Sequence, residues 1–256
     1  MLQAHSLLWH YLWLAPHVLQ LGLGIVIWRQ RLYERFPIFF TYVIFESLEE
    51  FTLYTMDVVP LGSDAAFWAV FRVGLIIEGL LKIGLIAELF RHLVAQWPAV
   101  AILGNRLISG LGALLVIFAA LIAAYSPVDN PQFAIVSRVH VLEQTFYIVQ
   151  CGLILFLFLF GAYYKLSWNH RAFGIAVGFG VVACEHMAAW AVMASGAMLD
   201  KRHLLDLLNM ATYHLCVLIW CYYLLVPQKK ATTSAVALPE NDLAIWNREL
   251  ERLLQR

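Results

Sequence analysis

Charge is scarce in this chain. Asp, Glu, Lys and Arg make up 13% of its 256 residues and balance to a formal net charge of zero, against roughly 25% charged residues in a soluble domain. That balance leaves no basic surface of the kind that holds a nucleic acid, so no nucleic-acid partner is expected. Several motifs are missing as well. There is no HExxH of a zinc protease, no ExxH of a di-iron bundle, no HxxxH and no CxxC. No N-x-S/T acceptor occurs, and the loops are short, which is compatible with a bacterial inner membrane protein. The opening segment MLQAHSLLWHYLWLAPH lacks the basic n-region of a cleavable signal. It runs apolar to Trp28 and reads as a retained first span. The four cysteines, Cys151, Cys184, Cys216 and Cys221, all fall inside predicted spans and read as small core thiols.

What is abundant is apolar surface. Hydrophobic residues reach 62% and mean hydropathy is +0.75, and apolar runs recur near the ~20-residue length that crosses a bilayer. They predict spans at about 6–28, 38–58, 67–90, 107–125, 139–163, 173–193 and 204–226. The expected fold class is therefore an all-α integral membrane protein, a seven-transmembrane-helix bundle. Many Trp and Tyr residues fall near span ends, as an interfacial belt requires. Lys and Arg fall at 29, 31, 35, 91, 106, 165, 171, 229 and 230 on one side of the spans, and only at 138, 201 and 202 on the other. The positive-inside rule then places the N-terminus outside and the C-terminus in the cytoplasm. The expected organisation is a transmembrane domain over 1–227, a flexible linker over 228–237 and a cytoplasmic amphipathic helix over 238–256. In that last helix Leu243, Trp246, Leu250, Leu253 and Leu254 form an apolar stripe. It should lie on the membrane surface, dock on a protein partner or a second copy, or pack on its own cytoplasmic face.

The chain is organised around the third span, FWAVFRVGLIIEGLLKIGLIAELF, which carries Arg72, Glu78, Lys82 and Glu88. A charge at bilayer centre costs about 2.5–3.5 kcal/mol on insertion scales. Glu78 and Lys82 are four residues apart and share a helix face, so pairing them and turning them from lipid lowers that cost. This span should be the hub, with Gly74, Gly79 and Gly84 allowing close helix approach. Its end, with Glu88 and Arg91, should emerge into the cytoplasm.

Other polar groups recur at helical spacing. In the second span Glu46, Glu49 and Glu50 project from one face, and Asp57 continues it. Three acids within one turn repel, so protons or cations should hold them. In the fifth, His140, Glu143, Gln144, Tyr147 and Cys151 form a stripe. In the sixth, Gly174 and Gly178 form a GxxxG pattern, and Glu185, with His186 beside it, points inward. In the seventh, Asp206, Asn209 and Tyr213 share a face next to His214. Span 4 offers no such group and should be peripheral.

These residues predict an outward-facing polar cavity with Glu78 and Lys82 as its floor, and intramembrane ionisable groups are functional candidates by default. The leading expectation is a binding or sensing protein for a small ligand, a cation or protons. A membrane-embedded metalloenzyme, a hydrolase or lipid-modifying enzyme, is the first alternative. Its transition metal would be held by residues among Glu50, Glu78, His140, Glu143, Glu185, His186 and His214. An ion- or proton-coupled transporter is the second, though the halves show no inverted repeat.

Overall fold

The computed structural model describes residues 6–59, 64–125, 134–194, 202–226 and 242–254. Among them every extended element is helical: α1 (Leu7–Arg29), α2 (Pro37–Val58), α3 (Asp64–Leu93), α4 (Pro98–Tyr125), α5 (Ala134–Tyr163), α6 (His170–Ala194), α7 (Arg202–Leu225) and α8 (Asp242–Leu254), with one short 3-10 turn at Leu32–Glu34. The expected linker over 228–237 lies outside the described residues, as do Asp129, Asp200 and Lys201.

Among the described residues four helices are long and apolar enough to cross a membrane: Leu7–Arg29, Val141–Tyr163, His170–Val192 and Leu204–Leu225. The length of α2 and α3 is comparable, but Glu46, Glu49 and Glu50 in the first and Arg72, Glu78, Lys82 and Glu88 in the second raise their charge. The exterior is apolar. Val18, Ile25, Val73, Leu80, Leu107, Leu155, Leu159 and Leu218 all face outward, a surface suited to lipid rather than water.

Consecutive helices pack side by side from α1 to α7, and α7 returns to α1. The third helix meets α2, α4, α5 and α6, so it is the hub its charges predict. By contrast α4 packs, among the described residues, chiefly on α3, α5 and α8, as its lack of polar groups predicts. Small residues set the close approaches. A Cβ at Gly79 would meet the Phe146 ring of α5, and at Gly84 it would touch Ile38 of α2. The GxxxG face of α6 makes room for side chains of α7. Gly174 receives the Tyr223 side chain and Gly178 the Trp220 indole, both from α7. Cys216 Sγ donates to Gly178 O at 2.7 Å and Trp220 Nε1 to Ile175 O at 3.3 Å. Gly178→Ala should therefore overpack the seam and cost about 1–3 kcal/mol. Gly152, with nothing within 4 Å of an added Cβ, is the control, and its Ala variant should stay within about 0.5 kcal/mol of the parent. Thermal unfolding of the two purified variants measures the difference.

The bundle is divided along its length. The second halves of α1, α3, α5 and α7 and the first halves of α2 and α6 build one continuous core, from Leu23 and Ile27 through Phe36, Phe39 and Leu85 to Leu157, Ile175 and Trp220. The opposite end is hollow.

Two elements at the packed end are held by specific bonds. Glu88 does not emerge from the bundle. It is 1% exposed and accepts from the backbone N–H groups of Ile38 and Phe39, each at 3.1 Å. One turn on, His92 Nε2 lies 2.8 Å from Arg35 O, and its ring packs on Phe36. One face of α3 thus clamps the α1–α2 connection, where Arg31 takes a left-handed backbone conformation. The second element is α8. Of the surfaces open to it, it packs on α4. Asn247 Oδ1 accepts from Ala99 N at 3.0 Å and Val100 N at 3.4 Å, capping the start of α4 from another helix. Within the expected stripe Trp246 and Leu253 stay exposed. Asn247→Ala should cost about 1 kcal/mol, the value of a lost cap. Deleting 238–256 should leave the bundle folded by thermal unfolding, and an unfolded truncation would make α8 part of the core.

Candidate functional site

The hollow end holds a cavity of about 440 Å³, within the range of small-ligand sites between helices. Six of the described helices contribute, each at its own spacing. From α2 come Glu46, Glu49 and Glu50, the i, i+3, i+4 stripe. The third helix adds Phe71, Leu75 and Glu78, and α5 adds Glu143 and Tyr147. His186 comes from α6, and Asp206, Asn209, Met210 and Tyr213 come from α7. The first helix supplies Trp9, Leu12, Trp13, Pro16 and His17.

Beneath lies a space of about 30 Å³, where Glu46, Glu78, Tyr147 and Tyr213 also meet Lys82. It has room for a water molecule. Lys82 is 5% exposed, pairs with Glu78, and holds Nζ 4.4 Å from the Tyr147 ring centroid. The other side of this space is shut by rings. Tyr42 and Trp220 each stand 4.9 Å from Phe179, centroid to centroid, and all three are buried. The cavity therefore ends in an aromatic plug.

The walls are tied by specific bonds. Trp13 Nε1 donates to Glu50 Oε2 at 2.7 Å. Tyr213 Oη donates to Gln20 Oε1 at 2.8 Å and stacks on His17 at 5.2 Å. The rings of His186 and Tyr147 stack at 3.8 Å, and His186 Nδ1 lies 3.2 Å from Glu185 Oε2. With its amide nitrogen facing Glu185, Asn209 donates to the same carboxylate. A Cβ on Gly74 would overlap the Glu49 carboxylate, so this glycine makes the room in which Glu49 sits. Two polar atoms in the lining have no partner among the described residues. Glu46 Oε2 and His17 Nδ1 are buried without a hydrogen bond, on residues 8% and 6% exposed. Buried polar atoms are seldom left so, and each is a place where a bound molecule could be received.

Of the residues singled out by sequence, Glu46, Glu49, Glu50, Glu78, Glu143, His186, Asp206 and Asn209 line the cavity, and Lys82 stands below it. Glu185 adjoins through His186 and Asn209. Gln144 does not line it. His214 lies on α7 with its ring 5.9 Å from Tyr11 of α1, outside the lining. The His140 side chain is outside the described residues. Among the described residues no three His, Cys, Asp or Glu side chains gather to hold a metal ion. On α1 the shared face of Trp13 and His17 is legible from spacing, while Trp9, one turn before Trp13 on that face, was missed. Tyr42 likewise sits one turn before Glu46 on the same face.

Comparison with family models, curated proteins and solved structures returns no match.

Proposed function

We propose that this protein is a membrane-embedded receptor-like binding protein, and that its hollow end takes up a small ligand or cation. Seven spans, α1 to α7, form the membrane domain over 1–227, with 228–237 a linker and 238–256 cytoplasmic. The packed end, where Arg29, Arg31, Arg35, Arg91, Arg106, Lys165 and Arg171 cluster by sequence, faces the cytoplasm. The cavity then opens outward, and occupancy is passed through α3 to the cytoplasmic loops and α8.

The observation that carries this reading is the pair of unpartnered buried atoms, Glu46 Oε2 and His17 Nδ1, inside a cavity of ligand size. Gln20 Nε2, Gln150 Oε1, His170 Nε2 and His214 Nδ1 also lack a partner among the described residues, but Glu46 and His17 alone of these six stand in the cavity lining, where a bound molecule can reach them. The aromatic plug below favours binding over passage, because an ion crossing the bilayer would have to displace three buried rings.

Protein purified in detergent without chelator tests the reading. Elemental analysis comes first, then thermal unfolding and tryptophan fluorescence against salts, metal ions and small amines, alcohols and acids. A ligand is expected to raise the melting temperature and to shift emission from Trp9 and Trp13. Silence across the whole panel would leave a core that only fixes helix packing. A stoichiometric metal would move the assignment to a metalloenzyme.

A further inference from the structure

We propose, resting on the binding role above, that the ligand is a small organic amine bound in its protonated form. The first argument is charge. Six carboxylates line the cavity, those of Glu46, Glu49, Glu50, Glu78, Glu143 and Asp206. Lys82, the one lysine at the site among the described residues, is already committed to Glu78. An anionic ligand would add to this crowd of acids, and a neutral one would leave protons to hold them. A cation can take the place of those protons, where the low dielectric makes the attraction strong.

The second argument is the unpartnered atoms. Glu46 Oε2 is an acceptor without a donor, and neutral His17 Nδ1 can be another. An alkylammonium carries three N–H donors and no acceptor, which matches both at once. The third argument separates an organic cation from a bare metal ion. No group of three His, Cys, Asp or Glu ligands converges among the described residues, and the volume far exceeds one ion. Trp9, Trp13, Phe71 and Leu75 give that volume an aromatic and apolar wall. Such a wall takes the carbon body of an amine and attracts its charge through the ring faces. The chain's own Lys82 is held this way, by the Glu78 carboxylate and the Tyr147 ring.

Three molecules of one shape and different charge test the class: 2-phenylethylamine, 2-phenylethanol and phenylacetate. Binding to the full chain in detergent is read by tryptophan fluorescence and melting temperature. The ammonium should bind at least about tenfold tighter than the alcohol, as expected of a charge-assisted hydrogen bond, and phenylacetate should be weakest. Glu46→Gln should weaken the ammonium by about the same factor and leave the alcohol unchanged. Equal or tighter binding of the alcohol or the acid, or an ammonium affinity untouched by Glu46→Gln, overturns the amine and leaves the binding role standing. No binding by any of the three, with a response elsewhere in the wider panel, does the same. Silence throughout overturns both. Should Glu46→Gln fail to fold, the charge series on the parent protein decides.

Discussion

Replacing Lys82 with alanine is expected to destabilise the protein by about 3–5 kcal/mol, the scale for breaking one side of a buried ion pair. Most of that loss does not measure the attraction between Lys82 and Glu78. It comes from what is left behind. Glu46 and Glu78 both meet Lys82 in the small space under the cavity, and without the ammonium two carboxylates face each other there with no cation. Water reaches them from the cavity side alone, because Tyr42, Phe179 and Trp220 close the other. Glu78→Ala should also be costly, but Lys82 keeps Glu46 and the Tyr147 ring as partners, so the loss should be smaller. The double variant should fall short of the sum by about 1–3 kcal/mol, the coupling typical of groups in direct contact. Unfolding of the four proteins in one detergent gives the cycle. Additive losses would show that the pair is not an energetic unit.

The helices were readable because bilayer thickness imposes a length, and apolar runs of that length recur. Their starts were less so. The fourth helix begins at Pro98 rather than near 107, since Pro98 suits a first turn and Asn247 caps it from α8. Neither feature lengthens an apolar run. In the site, spacing along one helix was a dependable guide: Glu46, Glu49 and Glu50 reach one cavity, and Glu78 meets Lys82. What spacing cannot give is the rotation of each helix about its axis. Glu143 lines the cavity and Gln144, about 100° further round, does not. Tyr213 and His214 divide in the same way. The partner of Glu50 could not be read at all, because Trp13 is thirty-seven residues away. The capping role of Glu88 was hidden for a related reason. A charge near a span end reads as solvent-facing, unless the backbone of another helix is known to need it.

That need sets the second large effect. Glu88→Ala should leave the N–H groups of Ile38 and Phe39 without an acceptor in a buried place, at about 1–3 kcal/mol for each. Pro37, the first residue of α2, has no N–H to satisfy, so these are among the first orphan donors of the helix. A carboxylate there also meets the positive end of the α2 dipole. Glu88→Gln keeps one oxygen and should lose roughly half as much, which separates acceptor loss from change of shape. Thermal unfolding gives the cost. Hydrogen exchange gives the place: the amides at the start of α2 should exchange faster, while those around Glu46 and Glu50 should not. Unchanged melting and unchanged exchange would remove the capping role. Because Glu88 acts at the packed end and Glu46 at the hollow one, the two substitutions should divide cleanly. Glu88→Ala should lower the melting temperature and leave ligand affinity intact below it, whereas Glu46→Gln should do the reverse. That division would follow only if the stable core and the binding cavity occupy opposite ends of one bundle.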